Sequence, residues 1–332
     1  MKLRAIAKEK EVSLYQGTNE GGVEQYVIST PETRDICNDP LVLGVDYTRK
    51  LQHATNRALK AMKEAKLIRS DEENAVVFHI LRGGLNFNLR NALHDAFGWN
   101  RHNSGFISSQ RAKDEKGGWY ITENRYQKVH MPDNAHIFLG DVVATGTSLE
   151  HALLLLVDIA TDQKKEIRQI TFFTIGGARS GEIVNKVDKE CRKRFPNYEG
   201  SQVVYVEGIF GVADEDSKLQ IRLTGTDLLR SDAVLAPEFI ESQKEKLSYA
   251  LERCTIYDAG SRAFHIDEYL KDVLEYWKQV ADLARKGTTL AAYLKERYPE
   301  DERLADAAWI KENDTPEKLL DVANRQIKLL DA

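Results

Sequence analysis

Residues 135–151 of the 332-residue chain, AHIFLGDVVATGTSLEH, carry the side chains best placed to do chemistry. An apolar run, Ile137-Phe138-Leu139, leads through Gly140 to Asp141 and Val142-Val143. A small, hydroxyl-bearing turn follows, Ala144-Thr145-Gly146-Thr147-Ser148, and from Leu149 the pattern is helical. A strand that empties through such a turn into a helix start gathers backbone N–H groups and hydroxyls on one point. That arrangement suits an anion, a phosphate foremost. Asp141, at the strand end, is placed to accept from sugar hydroxyls or to hold a metal beside the phosphate. A second stretch has the same logic. Ala75–Ile80 (AVVFHI) reads as a buried strand and Leu81-Arg82-Gly83-Gly84-Leu85-Asn86-Phe87 follows it. Two glycines at a strand exit let a ligand approach bare backbone, and the Arg82 guanidinium beside them suits a polyphosphate.

In order and spacing, the two stretches resemble the signatures of type I phosphoribosyltransferases, which use phosphoribosyl pyrophosphate (PRPP). The resemblance covers roughly residues 40 to 215, and its motifs look closest to the uracil branch. It implies that Ala144, Thr145, Gly146, Thr147 and Ser148 cradle the 5-phosphate. Arg82, Gly83 and Gly84 would grip the pyrophosphate with Mg²⁺, and Asp141 would bind ribose hydroxyls and touch the metal indirectly. Asp141 and Arg82 are thus the expected catalytic residues. Gly140 stands where the family's first acidic residue usually stands, so the ribose end departs from the pattern. Residues 101–128, polar and rich in Ser, Gly, Lys, Arg and Tyr, lie where the family has a hairpin that closes over PRPP and excludes water. Arg111, Lys113, Lys116, Arg125 and Lys128 are its cations, and Arg111 is assigned to PRPP.

The resemblance also bears on the acceptor. The 6-oxopurine branch carries an Asp where Ala144 stands, whereas Ala-Thr-Gly is the form of the uracil and adenine branches. The segments PLVLGVDYTRKLQHATNRAL and GFISSQR look more like the uracil branch, so a pyrimidine-like nitrogen heterocycle is expected. GGARSG (176–181) falls near the nucleobase end of the family's pocket, and EGIFGV (207–212) falls where the uracil branch recognises its base. Gly177, Glu207 and Phe210 are therefore the base-binding candidates: Phe210 to stack on a flat ring, Glu207 to accept from a ring nitrogen. The implied reaction displaces pyrophosphate from C1 of the sugar through a cation-like transition state, so catalysis rests on positioning and charge stabilisation. A second class stays open: a catalytically weak protein that binds PRPP or a nucleotide and signals through its C-terminal helices.

Composition narrows the classes further. With 42% hydrophobic and 30% charged residues the chain can build a core and suits a soluble protein. A net charge of −5 gives no basic surface for nucleic acid. The N-terminus has no apolar signal-like run, and the longest apolar run, Ala152 to Val157, is too short to span a membrane. Cys37, Cys191 and Cys254 read as reduced cytosolic thiols. The eight histidines form no metal-ligand pattern, so Mg²⁺ would arrive with PRPP. A cytoplasmic enzyme is expected, a homo-oligomer, whose partners are PRPP and a small nitrogen-containing acceptor rather than a membrane or nucleic acid.

Strands alternate with helical patterns from Ala75 through Val206, which predicts an α/β fold with a doubly wound, mainly parallel sheet and ligands at the carboxyl ends of its strands. Residues 1–40 read as an N-terminal segment with Tyr26-Val27-Ile28 as an edge strand, 41–236 as the phosphoribosyltransferase-like α/β domain, and 237–332 as a helical extension. In the extension Tyr269, Val273, Trp277 and Val280 share one helical face, Gly287 is a stop, and Asp314-Thr315-Pro316-Glu317 is a helix start. Trp277 and its neighbours are read as packing residues, with a partner or dimer surface as the alternative.

Overall fold

Strands whose side chains are apolar on both faces must lie between two layers, and Ala75–Ile80, buried at all six positions, is such a strand. The computed structural model describes every residue except 19–21, 82, 114–118, 144–145, 214–216, 218, 222–226, 255, 259–264, 298–303, 305–306, 311–313 and 332, and every side chain except those and 109–113, 119–125 and 310. Arg82, Ala144, Thr145 and Lys116, and the side chains of Arg111, Lys113 and Arg125, therefore lie outside the described residues.

The chain begins with β1 (Leu3–Glu9), β2 (Val12–Gly17), β3 (Glu24–Ser29), α1 (Pro31–Asn38), α2 (Gly44–Glu64) and β4 (Ala75–Ile80). It continues with α3 (Leu89–Phe97), β5 (Asn103–Lys113), β6 (Trp119–Lys128), β7 (Ala135–Val143), α4 (Thr147–Asp162), β8 (Ile167–Gly177), α5 (Arg179–Arg194) and β9 (Gly200–Val212). Then come β10 (Leu228–Leu235), α6 (Pro237–Ser242), α7 (Leu247–Leu251), α8 (Ile266–Arg285), α9 (Leu290–Arg297) and α10 (Pro316–Leu330). All described strands join one sheet in the order β1-β2-β3-β9-β8-β7-β4-β5-β6, with β10 on β9. The six central strands from β3 to β5 run parallel, and antiparallel pairs close both edges. The fold is thus α/β with a mainly parallel centre and C-terminal helices. The β5–β6 hairpin lies where a hairpin was expected.

One expectation needs correction. Tyr26-Val27-Ile28 does not form an edge: β3 lies between β2 and β9, because the β1–β2 hairpin adds outside it. α1 was not anticipated there; Thr30 starts it with a capping box to Thr33. EGIFGV, expected at the base end of the pocket, is the second half of β9. At Glu207, with φ +58°, that strand exchanges one neighbour, β3, for another, β10, which returns antiparallel and pairs with Gly208–Val212. The return strand satisfies the backbone groups that a loop would have left to solvent or ligand.

The C-terminal helices share the core of the sheet. Tyr269, Val273, Trp277 and Val280 of α8 are all buried, as are Leu319 and Ala323 of α10, which packs on α8. Buried charges fix the segment between α7 and α8. Arg253 pairs with Asp227 at 3.4 Å and Asp272 at 2.6 Å, and Trp277 Nε1 donates to Glu252 at 3.2 Å. Arg230 donates to the Glu252 carbonyl and, at 3.3 Å, to that of Cys37. These bonds anchor Glu252 and Arg253, a few residues before Asp258, which matters for the site. No helix among the described residues is long and apolar enough to cross a membrane.

Candidate functional site

The site forms at the carboxyl ends of β4 and β7, neighbours in the sheet. β7 delivers Asp141, half-buried, whose Oδ1 also accepts from the Val142 N–H at 3.0 Å. Beyond it Gly146 is the N-cap of the 16-residue α4, with φ +76°. Its N-cap, being glycine, has no side chain to cap the helix start. Thr147 and Ser148 open its first turn, where the helix's first backbone N–H groups point out of its start with the positive end of the helix dipole behind them. A side chain at Gly146 would meet Ile183 Cδ1 at 2.2 Å, so the glycine answers both the left-handed backbone and the close approach of α5. Arg179, at the start of α5, approaches the same glycine, but its guanidinium is ion-paired with Glu150 at 3.3 Å and Glu182 at 2.9 Å.

From β4 the chain turns through Gly83–Leu85. A Cβ on Gly84 would lie 3.1 Å from the Gly140 carbonyl oxygen, so this turn lies directly on the backbone of β7. A Cβ on Gly83 would lie 3.0 Å from Asp141 Oδ1. The structure therefore brings Gly83, Gly84 and Asp141 together, with Gly146, Thr147 and Ser148 on the same exit of β7. Arg82 sits between Leu81 and this turn in sequence and is outside the described residues.

Gly140 has a physical reason. A Cβ there would lie 2.3 Å from Phe87 Cγ and 2.5 Å from Cδ1, and Phe87 is fully buried. The phenyl ring occupies the space that a side chain at position 140 would need. Another carboxylate comes close instead. Asp258, between α7 and α8, places its two oxygens 3.8 and 3.9 Å from the Cβ position of Gly83. It is 4% exposed; Oδ1 accepts from Asn86 Nδ2 at 2.8 Å, and Oδ2 has no partner among the described residues. Burial pushes its carboxyl up to about 8; the Asn86 hydrogen bond opposes this and the Asp141 charge adds to it. Tyr47, fully buried on α2, feels the charges of both Asp258 and Asp141, and its hydroxyl also lacks a partner among the described residues. None of Phe87, Tyr47, Asn86 or Asp258 was foreseen as part of a site. Asn86 and Phe87 lie within the quoted glycine motif and were open to suspicion. Tyr47 and Asp258 are a helix residue and a loop residue far away in sequence, and nothing local marks them.

The base-binding candidates divide. Gly177 and Phe210 are paired across β8 and β9, and a Cβ on Gly177 would lie 2.8 Å from the Phe210 carbonyl oxygen. Phe210 helps line a cleft of about 650 Å³ at the ends of these strands, together with Gln25, Arg179, Asn185 and Asp232. Its ring is nonetheless 3% exposed and packs edge-on to Phe239 at 5.9 Å, which makes it a core ring first. Glu207 is not in the cleft lining and is fully buried. It accepts from the Thr30 N–H at 3.2 Å and from the Thr33 hydroxyl, so it ties β9 to the start of α1. The reading of Glu207 as a base contact is corrected accordingly: the bulge that hands β9 from β3 to β10 turns its side chain inward. Burial pushes its carboxyl up to about 7, against the hydrogen bonds that lower it. Among the described residues no group of three or more His, Cys, Asp or Glu is arranged to hold a metal ion.

Neither a family model nor a curated protein matches the chain. Among solved structures it is similar to a hypoxanthine phosphoribosyltransferase from Staphylococcus aureus, with a TM-score of 0.28 and 14% identity over 48% of this chain and 73% of that one. It is also similar to a purine phosphoribosyltransferase from Pyrococcus horikoshii (TM-score 0.27, 16% identity, 52% and 97% covered). A third likeness is to an adenine phosphoribosyl transferase from Trypanosoma brucei in complex with AMP, pyrophosphate and ribose-5-phosphate (TM-score 0.33, 12% identity, 55% and 83% covered).

Proposed function

We propose that the chain transfers the 5-phosphoribosyl group of PRPP to a nitrogen heterocycle, with release of pyrophosphate. The observation that carries this is the convergence of two loops from adjacent strands: Gly83 and Gly84 at the end of β4 lie against Asp141 and Gly140 at the end of β7, whose own loop opens helix α4 at a glycine N-cap. A ligand with a phosphate at one end and a pyrophosphate at the other would fit across such a pair of exits. Thr147, Ser148 and the first N–H groups of α4 would hold the 5-phosphate, with Thr145 and Ala144 completing the loop. Gly83, Gly84 and Arg82 would hold the pyrophosphate. Asp141 would bind ribose hydroxyls and stabilise the positive charge that develops on the sugar as the C1–O bond breaks.

Magnesium fits this arrangement as a companion of the pyrophosphate. The Asp141 carboxylate is a hard oxygen ligand of the kind it accepts, directly or through water, and it normally keeps several waters and phosphate oxygens. It would neutralise the departing pyrophosphate. The acceptor would enter at the β8–β9 end, where the cleft beside Phe210 and Gly177 has room for a flat ring. The motifs favour a pyrimidine-like acceptor. The hairpin β5–β6, with Arg111 on it, would close over PRPP.

Calorimetric titration with Mg·PRPP, followed by pyrophosphate release over a panel of pyrimidine and purine bases, tests the proposal. Saturable binding is expected, with turnover on at least one base, and Asp141→Asn is expected to lower turnover by two orders of magnitude or more. No PRPP binding by the folded protein would overturn it, and near-normal turnover by the variant would remove the role given to Asp141. One observation favours a regulatory reading beside the enzymatic one: a residue of the C-terminal part, Asp258, reaches the site. PRPP binding without pyrophosphate release on any base would select that reading.

A further inference from the structure

Position 140 cannot carry a second acid, because Phe87 fills its space, yet a second carboxylate stands at the site. Asp141 and Asp258 approach the same point: both have oxygens within 4 Å of where a Gly83 side chain would begin. They reach it from opposite parts of the fold, one from the sheet and one from the segment that the buried lattice around Arg253 and Glu252 holds in place. Asn86 gives one amide hydrogen to Asp258 Oδ1. Asp258 Oδ2 is buried without a partner among the described residues. Nearly all buried polar atoms in folded proteins are paired, so the unpaired Asp258 Oδ2 beside Gly83 calls for an outside group that shares a hydrogen with it. Gly83 leaves the point that both carboxyl groups approach free of a side chain, since any side chain there would meet Asp141.

We infer that Asp258 is a ribose-binding residue which, with Asp141, takes the two adjacent hydroxyls of the sugar. A vicinal diol offers two donors a short distance apart, and two carboxyl groups converging on one point offer the matching acceptors. The C-terminal segment thereby supplies what the sheet lost at Gly140. The inference rests on the phosphoribosyl reading of the site and sharpens its ribose end.

Calorimetry with ribose 5-phosphate, 2-deoxyribose 5-phosphate and inorganic phosphate separates the two. The wild-type protein is expected to bind ribose 5-phosphate at least tenfold more tightly than its 2-deoxy analogue. In Asp258→Ala that preference should fall below threefold while inorganic phosphate affinity is unchanged, a pattern that a merely structural loss would not produce. Asp258→Leu, close in shape, reads the same quantity if the alanine variant does not fold. A preference kept intact in either folded variant would overturn the role of Asp258 and leave the phosphoribosyl reading standing. A wild-type protein that binds inorganic phosphate but neither sugar phosphate nor PRPP would overturn both.

Discussion

The most direct test of how this site is built is Gly140→Ala. The added methyl would lie 2.3, 2.5 and 2.8 Å from Phe87 Cγ, Cδ1 and Cβ, whereas ordinary contact begins near 3.4 Å. The ring must retreat by about 1 Å, and it is fully buried in the main core. Overpacking of this severity costs about 3 kcal/mol. Unfolding entropy of about 2.1 cal/mol/K per residue converts that into a fall in Tm of about 4 °C for a chain of this length. Phe87→Ala alone should cost about 3–5 kcal/mol through the cavity it leaves. In that background most of the obstruction is gone, so Gly140→Ala should cost about 1 kcal/mol, a coupling of about 2 kcal/mol between the positions. Differential scanning calorimetry of the four proteins measures it. A Gly140→Ala protein melting within about 1 °C of wild type, or simple additivity in the double variant, would refute the claim that Phe87 is what bars a side chain at position 140.

Glu207 makes stability depend on pH with a definite sign. Its folded carboxyl, pushed up to about 7 from an unfolded 4.5, keeps its proton longer than the unfolded chain does, so stability is lost as pH rises through that window, by about 3 kcal/mol at about 1.4 kcal/mol per pH unit. Glu207→Gln should therefore gain on wild type by about that amount between pH 4.5 and 8 in denaturant titrations; a difference between the two proteins that is flat over this range would contradict the assignment. Gly146→Ala forces φ +76° on an alanine and brings a methyl to 2.2 Å from Ile183 Cδ1. The left-handed backbone alone costs about 1–2 kcal/mol, and affinity for inorganic phosphate should drop at least tenfold; unchanged phosphate binding would place the anion elsewhere.

Much of this molecule was legible because local patterns decide it. AVVFHI and AHIFLGDVV are apolar at nearly every position and became central parallel strands, β4 and β7. Thr315 and Pro316 began α10 where their capping chemistry said a helix should begin. The 3.6-residue spacing of Tyr269, Val273, Trp277 and Val280 became the buried face of α8. The glycine turns after β4 and β7 also declare themselves, since a backbone that must pass within contact distance of another strand tolerates little else.

What the sequence could not contain is the set of distances between elements. Glu207 belongs to a strand whose neighbour changes beneath it, and no local pattern records that change of partner, so its carboxylate ends in the core against α1 instead of in a pocket. The absence of an acid at position 140 is visible in the sequence, but its cause, the ring of Phe87, lies across the space between two strand exits. Asp258 is in sequence an unremarkable loop aspartate. It becomes the companion of Asp141 only because buried ion pairs and the packing of α8 hold its segment over the site. Backbone conformation and burial period are short-range properties carried by neighbouring residues, whereas the convergence of Asp141 and Asp258 on Gly83 follows from how the sheet and its covering helices pack, and only the folded chain fixes it.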